Sequence, residues 1–146
     1  MKLIPEYHMV PYAVEVTYGT SSSSVSDIQV QYDGNTFDLE ELATTPGLQM
    51  IVSFKNVLRF SKIGISAYYS ANTTSHYVAI EIYNWENGEW EVYATIPPGL
   101  GMNYRYFDTQ DYEEHIKNGE VKMRLNHPMG GSAAHDFYID YMALIR

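Results

Sequence analysis

The chain has 146 residues, of which 45% are hydrophobic and 18% charged, and its formal net charge is −9 at pH 7. This length and composition indicate one globular domain with a full hydrophobic core. No cluster of Lys or Arg interrupts the negative charge, so nucleic acids and anionic membranes are disfavoured as partners. The chain contains no Cys, which excludes disulfide scaffolds and thiolate metal sites.

The N-terminal residues 1–11 are predicted to be an irregular arm, in which Pro5 and Pro11 bracket Tyr7, His8 and Met9. Such an arm could dock on a neighbouring molecule or cover the edge of a sheet. Residues 12–146 are then predicted to form a single domain. Apolar residues alternate with polar ones through most of it, which indicates half-buried strands. The predicted strands are 12–18, 25–32, 36–39, 48–57, 63–70, 76–83, 90–96, 103–107, 120–126 and 137–145.

One stretch, Asp108–Ile116, is a helix candidate of one or two turns, closed by Asn118-Gly119. In the strand Leu48–Val57 we expect Leu48, Met50, Val52 and Phe54 to face inward.

The first predicted hairpin joins 25–32 to 36–39 through Asp33-Gly34, a preferred pair for a two-residue type I′ turn. That turn would place Val30 opposite Phe37 and Ile28 opposite Leu39.

The second predicted hairpin turns at Asn87-Gly88. A two-residue turn would set apolar residues against the wrong face, so a three-residue loop with Gly88 left-handed is expected. This register pairs Ile82 with Val92 and Ile80 with Ala94. It also turns Trp90 inward and places three aromatic residues on the outer face, namely Tyr83, Trp85 and Tyr93.

The third predicted hairpin joins Glu120–Asn126 to Phe137–Ile145 through the loop HPMGGSAAHD. Centring the loop on Gly131 sets Met123 against Ile139 and His127 against His135. In the second arm one face would hold Phe137, Ile139, Tyr141, Ala143 and Ile145. About 8–10 short strands with at most one short helix predict an all-β fold, an antiparallel β-sandwich of jelly-roll type.

Two segments of the chain resemble a known family: SHYVAIEIYNWENGEWEVYATIPP, from Ser75, and GEVKMRLNHPMGGSAAHDFYIDYMALI, from Gly119. They are similar to galactose-binding-like jelly rolls, and their residue patterns resemble those of modules in tailed-bacteriophage structural proteins. The resemblance covers roughly residues 25–146. It implies a non-enzymatic module that decorates a capsid, caps part of a tail or binds glycans. Such modules often hold a structural calcium ion.

Catalytic chemistry has no support in the sequence. There is no Gly-x-Ser-x-Gly motif, phosphate loop or dinucleotide fingerprint, and the acids fall on predicted turns and outer faces. We therefore expect no enzyme and no cofactor. His127 and His135 could hold a metal with Asp136, but the preferred interpretation is that both bond backbone carbonyls and fix their loop. For calcium, the candidate ligands are Asp27, Asp33, Asp38, Glu40 and Asp140.

Tyr83, Trp85 and Tyr93 could form a stacking platform for a sugar, pack under a loop or contact another subunit, and the subunit contact is the preferred interpretation. The first functional hypothesis is a virion structural protein, made in the host cytoplasm without a signal peptide and placed on the outer surface of a capsid. Its partners would be capsid or tail proteins and copies of itself, most plausibly in a trimer. The alternative is a carbohydrate-binding module that recognises a host glycan, for example in tail adhesion. No nucleic-acid or membrane partner is expected.

Overall fold

The structure is a computed structural model that describes residues 7–71, 75–99, 101–110 and 112–146. These residues form two antiparallel sheets, which confirms the predicted all-β sandwich. The strands are β1 (His8–Met9), β2 (Ala13–Tyr18), β3 (Phe37–Glu40), β4 (Leu48–Phe54), β5 (Lys62–Ser70), β6 (Val78–Asn84), β7 (Glu89–Ile96), β8 (Asn103–Asp108), β9 (Val121–His127) and β10 (Asp136–Ile145).

The first sheet, sheet I, has the order β1-β10-β5-β8, and β3 also pairs with β10. The second sheet, sheet II, has the order β2-β4-β9-β6-β7. The core lies between the two sheets, because the apolar residues of each strand recur on one face. The prediction for β4 is confirmed: Leu48, Met50, Val52 and Phe54 are all fully buried.

The third hairpin prediction is wrong. Both strands exist, but β9 lies in sheet II between β4 and β6, while β10 lies in sheet I. Met123 is therefore paired with Val52 and Ile82, and Ile139 with Ala67. The prediction assumed that neighbouring apolar strands pair with each other. In this sandwich the loop between them crosses from one sheet to the other, and each strand buries its apolar face in the same core.

The two faces of β10 also differ from the prediction. The pairing of β10 with β5 shifts between Ile139 and Tyr141, so Asp140 is the extra residue of a bulge. Beyond the bulge the alternation is inverted. Met142 and Leu144 lie in the main core, whereas Tyr141, Ala143 and Ile145 form a separate cluster.

The first hairpin prediction is wrong as well. Val25–Ile28 forms a 3₁₀ turn, and β3 pairs with β10 instead of with the segment before it. The Asp27 carboxylate accepts a hydrogen bond of 2.9 Å from the Ser24 backbone N–H. This local bond stabilises a helical turn and competes with an extended strand. The Ser-x-x-Asp spacing was therefore a signal against a strand at this point.

The β6–β7 hairpin follows the prediction in part. Gly88 is left-handed, with φ of 74°, and Ile80 pairs with Ala94, as expected. Ile82 is paired with Glu91 and not with Val92, because the register shifts between Ile80 and Glu81. Asn84 then pairs with Glu89, so the loop has four residues and not the three that were predicted. The shift reverses which side chains of β7 face outward, and this changes the aromatic group around Trp85.

The predicted short helix is present as α1 (Tyr112–His115). The turn after it contains Asn118 and Gly119, with φ of 54° and 79°, so the predicted closure is confirmed. At the other end of the chain, β1 pairs with the last residues of β10, and His8 is aligned with Ile145. Neither helical segment in the described ranges has the length and apolarity needed to cross a membrane.

Candidate functional site

The outer surface of sheet I carries a group of tyrosine side chains. Ser66 of β5 is paired with Tyr104 of β8 and with Tyr141 of β10, and paired residues project to the same side of a sheet. Tyr68 and Tyr138 are paired in the same way and their rings stack at 5.4 Å. We call this surface the tyrosine face; it comprises Tyr68, Tyr104, Tyr106, Tyr138 and Tyr141.

Small residues form the floor of the tyrosine face. Gly64 lies opposite Tyr106, and a Cβ atom at Gly64 would overlap the Tyr104 hydroxyl. The Tyr104 ring thus lies close over the strand, with its centroid 4.6 Å from Tyr106 and 6.4 Å from Tyr141. Tyr106 remains 51% exposed, and the Lys62 ammonium lies 6.0 Å from its ring centroid, so the ring is open to a ligand on the side away from Lys62.

A cavity of about 440 Å³ opens at one side of the tyrosine face. Tyr32, which is 78% exposed, forms one wall, and the Asp140 bulge supplies a carboxylate. Asp140 is only 6% exposed, and its Oδ2 accepts a hydrogen bond of 3.1 Å from the Tyr32 backbone N–H. The bulge thus turns an acidic side chain into a cleft with aromatic walls. The other lining residues are Gly34, Thr36, Ser66, Met102, Asn103 and Tyr104.

The aromatic group predicted from the sequence lies on sheet II and has a different membership. The Tyr83 ring packs against Trp85 at 5.0 Å and against Trp90 at 5.1 Å. The prediction that Trp90 faces inward is wrong, since the register shift in β7 turns it to the outer surface. The Arg124 guanidinium lies 4.7 Å from the Trp90 ring centroid and forms two hydrogen bonds to Glu81, of 2.9 and 3.0 Å. A cation therefore occupies one face of Trp90.

Trp85 anchors the short helix. Its indole N–H donates a hydrogen bond of 3.1 Å to the His115 carbonyl, and its backbone N–H donates one of 2.8 Å to the Glu114 carbonyl. The ammonium groups of Lys117 and Lys122 each lie 5.6 Å from the Trp85 ring centroid. The ring is thus engaged with α1 and with cations of the same chain.

Tyr93 is not brought together with Tyr83 and Trp85 on the outer surface. It packs against the main core, and its hydroxyl lies 2.7 Å from His115 Nε2 and 2.9 Å from the Gln110 carbonyl oxygen. His115 is fully buried, with Nδ1 3.0 Å from the Tyr83 carbonyl oxygen. Tyr93 and His115 together fasten α1 to sheet II.

His127 and His135 are brought together by a residue that the sequence reasoning missed, Glu41. The Glu41 side chain is fully buried, with its Oε1 3.3 Å from His127 Nε2 and its Oε2 2.9 Å from His135 Nδ1. The Tyr69 hydroxyl donates a hydrogen bond of 2.6 Å to Oε1. Burial, and then the bond to this carboxylate, raises the pKa of Tyr69 above its ordinary value. We call these four residues the Glu41 cluster.

The backbone also engages the Glu41 cluster. His127 Nδ1 lies 2.8 Å from the Tyr77 carbonyl oxygen, as expected if the histidines bond backbone carbonyls. His135 Nδ1 instead contacts the Glu41 carboxylate, which that interpretation did not include. Among the residues that the structure describes, no three His, Asp or Glu side chains are arranged to hold a metal ion. Several calcium candidates bond nearby groups: Asp33 accepts from Asn35, Asp38 from Thr36 and Asp27 from Ser24. A calcium site stays a prediction.

The comparisons with known proteins give a family and a fold. A family model described as "Domain of unknown function (DUF8815)" matches residues 10–144. No curated protein matches the chain. A mutant of the family 29 carbohydrate-binding module CBM29-2, complexed with cellulohexaose, has a TM-score of 0.62 at 15% identity, covering 98% of this chain and 93% of its own.

Two further solved structures give the same result. Another mutant of a family 29 carbohydrate-binding module has a TM-score of 0.62 at 14% identity, over 97% of this chain and 91% of its own. A CBM29-2 mutant complexed with mannohexaose has a TM-score of 0.58 at 14% identity, over 97% of this chain and 93% of its own. At these identities the likeness shows a shared β-sandwich fold.

Proposed function

The chain belongs to the family described as Domain of unknown function (DUF8815), and we propose, from the chemistry of its surface, that it is a non-enzymatic carbohydrate-binding module. The tyrosine face is the proposed binding surface. The observation that carries the proposal is the cleft in which the exposed Tyr32 ring lies beside the buried Asp140 carboxylate.

The chemistry of this cleft suits a sugar. A pyranose ring presents an apolar face that packs on an aromatic ring, while its hydroxyls need hydrogen-bond partners at the edges. Tyr32 offers an exposed ring in the cleft, and Asp140, Ser66 and Asn103 offer polar groups there. Tyr106 lies outside the cleft, next to Tyr104, and offers a second exposed ring on the tyrosine face.

The aromatic group of sheet II is a weaker candidate for sugar stacking. A sugar would have to displace Arg124 from Trp90, or Lys117 and Lys122 from Trp85. Each displacement gives up a cation–π contact of about 0.5–1 kcal/mol at an exposed site. By contrast, Tyr32 in the cleft is 78% exposed, and Tyr106 on the tyrosine face is 51% exposed, with the Lys62 ammonium 6.0 Å from its ring centroid, at the outer limit of a cation–π contact.

The binding test uses isothermal titration calorimetry with cellohexaose and mannohexaose, the sugars bound by two proteins of the same fold. We expect Tyr32→Ala and Tyr106→Ala each to weaken binding at least about tenfold, which corresponds to about 1.4 kcal/mol. Asp140→Asn should weaken binding while leaving the shape of the cleft intact.

Tyr18→Ala is the matched control, since Tyr18 is 41% exposed and lies on β2, in the other sheet. Its affinity should equal that of the unchanged protein. Equal losses in Tyr18→Ala, or full binding by the Tyr32 and Tyr106 variants, would refute the assignment of the tyrosine face. Failure of the unchanged protein to bind any member of a broad glycan array would refute the function itself.

The virion hypothesis has less support. The solved structures of the same fold named above are carbohydrate-binding modules, and none of the described residues points to a capsid or tail partner. A place on a virion, assembly into a trimer and contacts with capsid or tail proteins all stay predictions. A carbohydrate-binding module within a tail adhesin would satisfy both hypotheses.

A further inference from the structure

A second cavity, of about 350 Å³, lies where the ends of three strands of sheet I meet. The Ser61 backbone N–H donates a hydrogen bond of 2.8 Å to the Ile145 carbonyl, and the Thr109 N–H donates one of 2.9 Å to the Ser61 carbonyl. These bonds tie the residues before β5 and after β8 to the end of β10. The described lining residues are Arg59, Phe60, Ser61, Thr109, Tyr112 and Arg146.

The charge of this cavity is opposite to that of the whole molecule. Two of its described lining residues are arginines and none is acidic, whereas the chain has 18 acids against 9 bases. Arg59 is exposed and has no hydrogen bond or ion pair with another described residue. The Arg146 guanidinium lies 5.6 Å from the Tyr7 ring centroid and forms no ion pair within the described ranges.

The wall of the cavity also contains a buried hydroxyl. Thr109 Oγ1 is shielded from solvent and has no hydrogen-bond partner among the described residues. Leaving such a group unpaired costs about 1–3 kcal/mol, so a hydroxyl in this position is usually matched by a partner. Because a water molecule cannot reach this atom, a ligand oxygen in the cavity can pair with it only if the Thr109 side chain turns toward the cavity.

We propose that this cavity binds the carboxylate of an acidic sugar, a uronic acid residue. Guanidinium groups match carboxylates in shape and charge, and hydroxyls of Ser61 and Thr109 can donate to the same oxygens. A net charge of −9 opposes multiply charged anions more than singly charged ones, which favours a carboxylate over a phosphate monoester. Tyr112 provides an aromatic wall against which the sugar ring packs. Only the sugar part of the ligand rests on the proposed function.

The test is an NMR titration of the intact protein with sodium D-glucuronate, with D-glucose as the neutral analogue and sodium acetate as the bare anion. Glucuronate should give saturable shifts at Arg59, Ser61 and Thr109, acetate weaker shifts at the same positions, and glucose none there. Arg59→Gln should weaken glucuronate binding at least about tenfold, as expected for a lost charge-assisted hydrogen bond. Thr109→Val, which keeps the side-chain shape, should weaken it less.

Lys55→Gln is the matched control, because it removes one positive charge outside the cavity, where Lys55 lies 5.1 Å from the Tyr12 ring centroid. Equal weakening by Lys55→Gln and Arg59→Gln would overturn the proposal in favour of a general charge effect. Equal binding of glucose and glucuronate at this cavity would overturn it as well. Full cellohexaose binding by Tyr32→Ala and Tyr106→Ala, with glucuronate binding unchanged, would refute the tyrosine face and leave the proposal for this cavity standing.

Discussion

Glu41 shows how one residue can organise a site that no local pattern reveals. Its two carboxylate oxygens contact His127, His135 and the Tyr69 hydroxyl inside the protein. The sequence predicted that the two histidines lie close together, because they flank one loop. It did not indicate Glu41, since that residue is 94 positions from His135 and the contact depends on the packing of both sheets.

The Glu41 cluster predicts how stability depends on alkaline pH. Burial and the Glu41 carboxylate raise the pKa of Tyr69 above the unfolded value of 10.0. Above that pH the unfolded state releases a proton that the folded state retains, so the free energy of unfolding should fall as pH rises. One such group contributes a slope approaching about 1.4 kcal/mol per pH unit.

In urea unfolding between about pH 8 and pH 11.5, Tyr69→Phe should therefore show a shallower alkaline slope than the unchanged protein. At neutral pH the same variant should be less stable by about 1–3 kcal/mol, because Glu41 loses a hydrogen bond. Tyr18→Phe, at an exposed position, is the control and should keep the original slope. An unaltered slope in Tyr69→Phe would show that Tyr69 ionises equally in both states.

At the scale of elements, register shifts account for two of the differences between the sequence-based predictions and the structure. Period-two alternation predicted β4 correctly because that strand is regular from Leu48 to Phe54. In β10 the extra residue Asp140 inverts the alternation, and in β7 the register shift exchanges the positions of Trp90 and Tyr93. A pattern of apolar residues cannot locate a bulge in these strands, because the residues at odd and at even positions both form an apolar set that could face the core.

The contact between α1 and the β6–β7 hairpin gives a prediction for Trp85. Trp85→Ala should lower the free energy of unfolding by about 2–4 kcal/mol, because the ring is half-buried and its N–H holds the His115 carbonyl. Amide hydrogen exchange should show increased opening of α1. The measurements are urea unfolding and exchange rates of residues 112–116.

Val92→Ala serves as the control on the same hairpin, since Val92 is 59% exposed. This substitution should lower the free energy of unfolding by less than about 0.5 kcal/mol. A Trp85→Ala variant of unchanged stability would mean that the ring does not hold α1. If that stable variant lost glycan binding, the sugar platform would be on sheet II; if it lost oligomer mass, the ring would be a subunit contact.

At the scale of the whole molecule, the fold class could be predicted from the sequence and the topology could not. Many short alternating strands with turn residues indicate a β-sandwich. The assumption that strands adjacent in sequence pair with each other succeeded for β6 with β7 and failed for β9 with β10. The tyrosine face was missed for the same reason, because its strands, β5, β8 and β10, are brought together only by the correct strand order.

The position of β10 has a consequence for the rate of folding. It pairs with β1, β3 and β5, so His8 must meet Ile145 across nearly the whole chain before sheet I is complete. Closing loops of that length costs entropy before the new contacts return any stability. We expect refolding on the slow scale of milliseconds to seconds, with β10 joining late, and stopped-flow fluorescence would contradict this if folding were complete within microseconds to a millisecond.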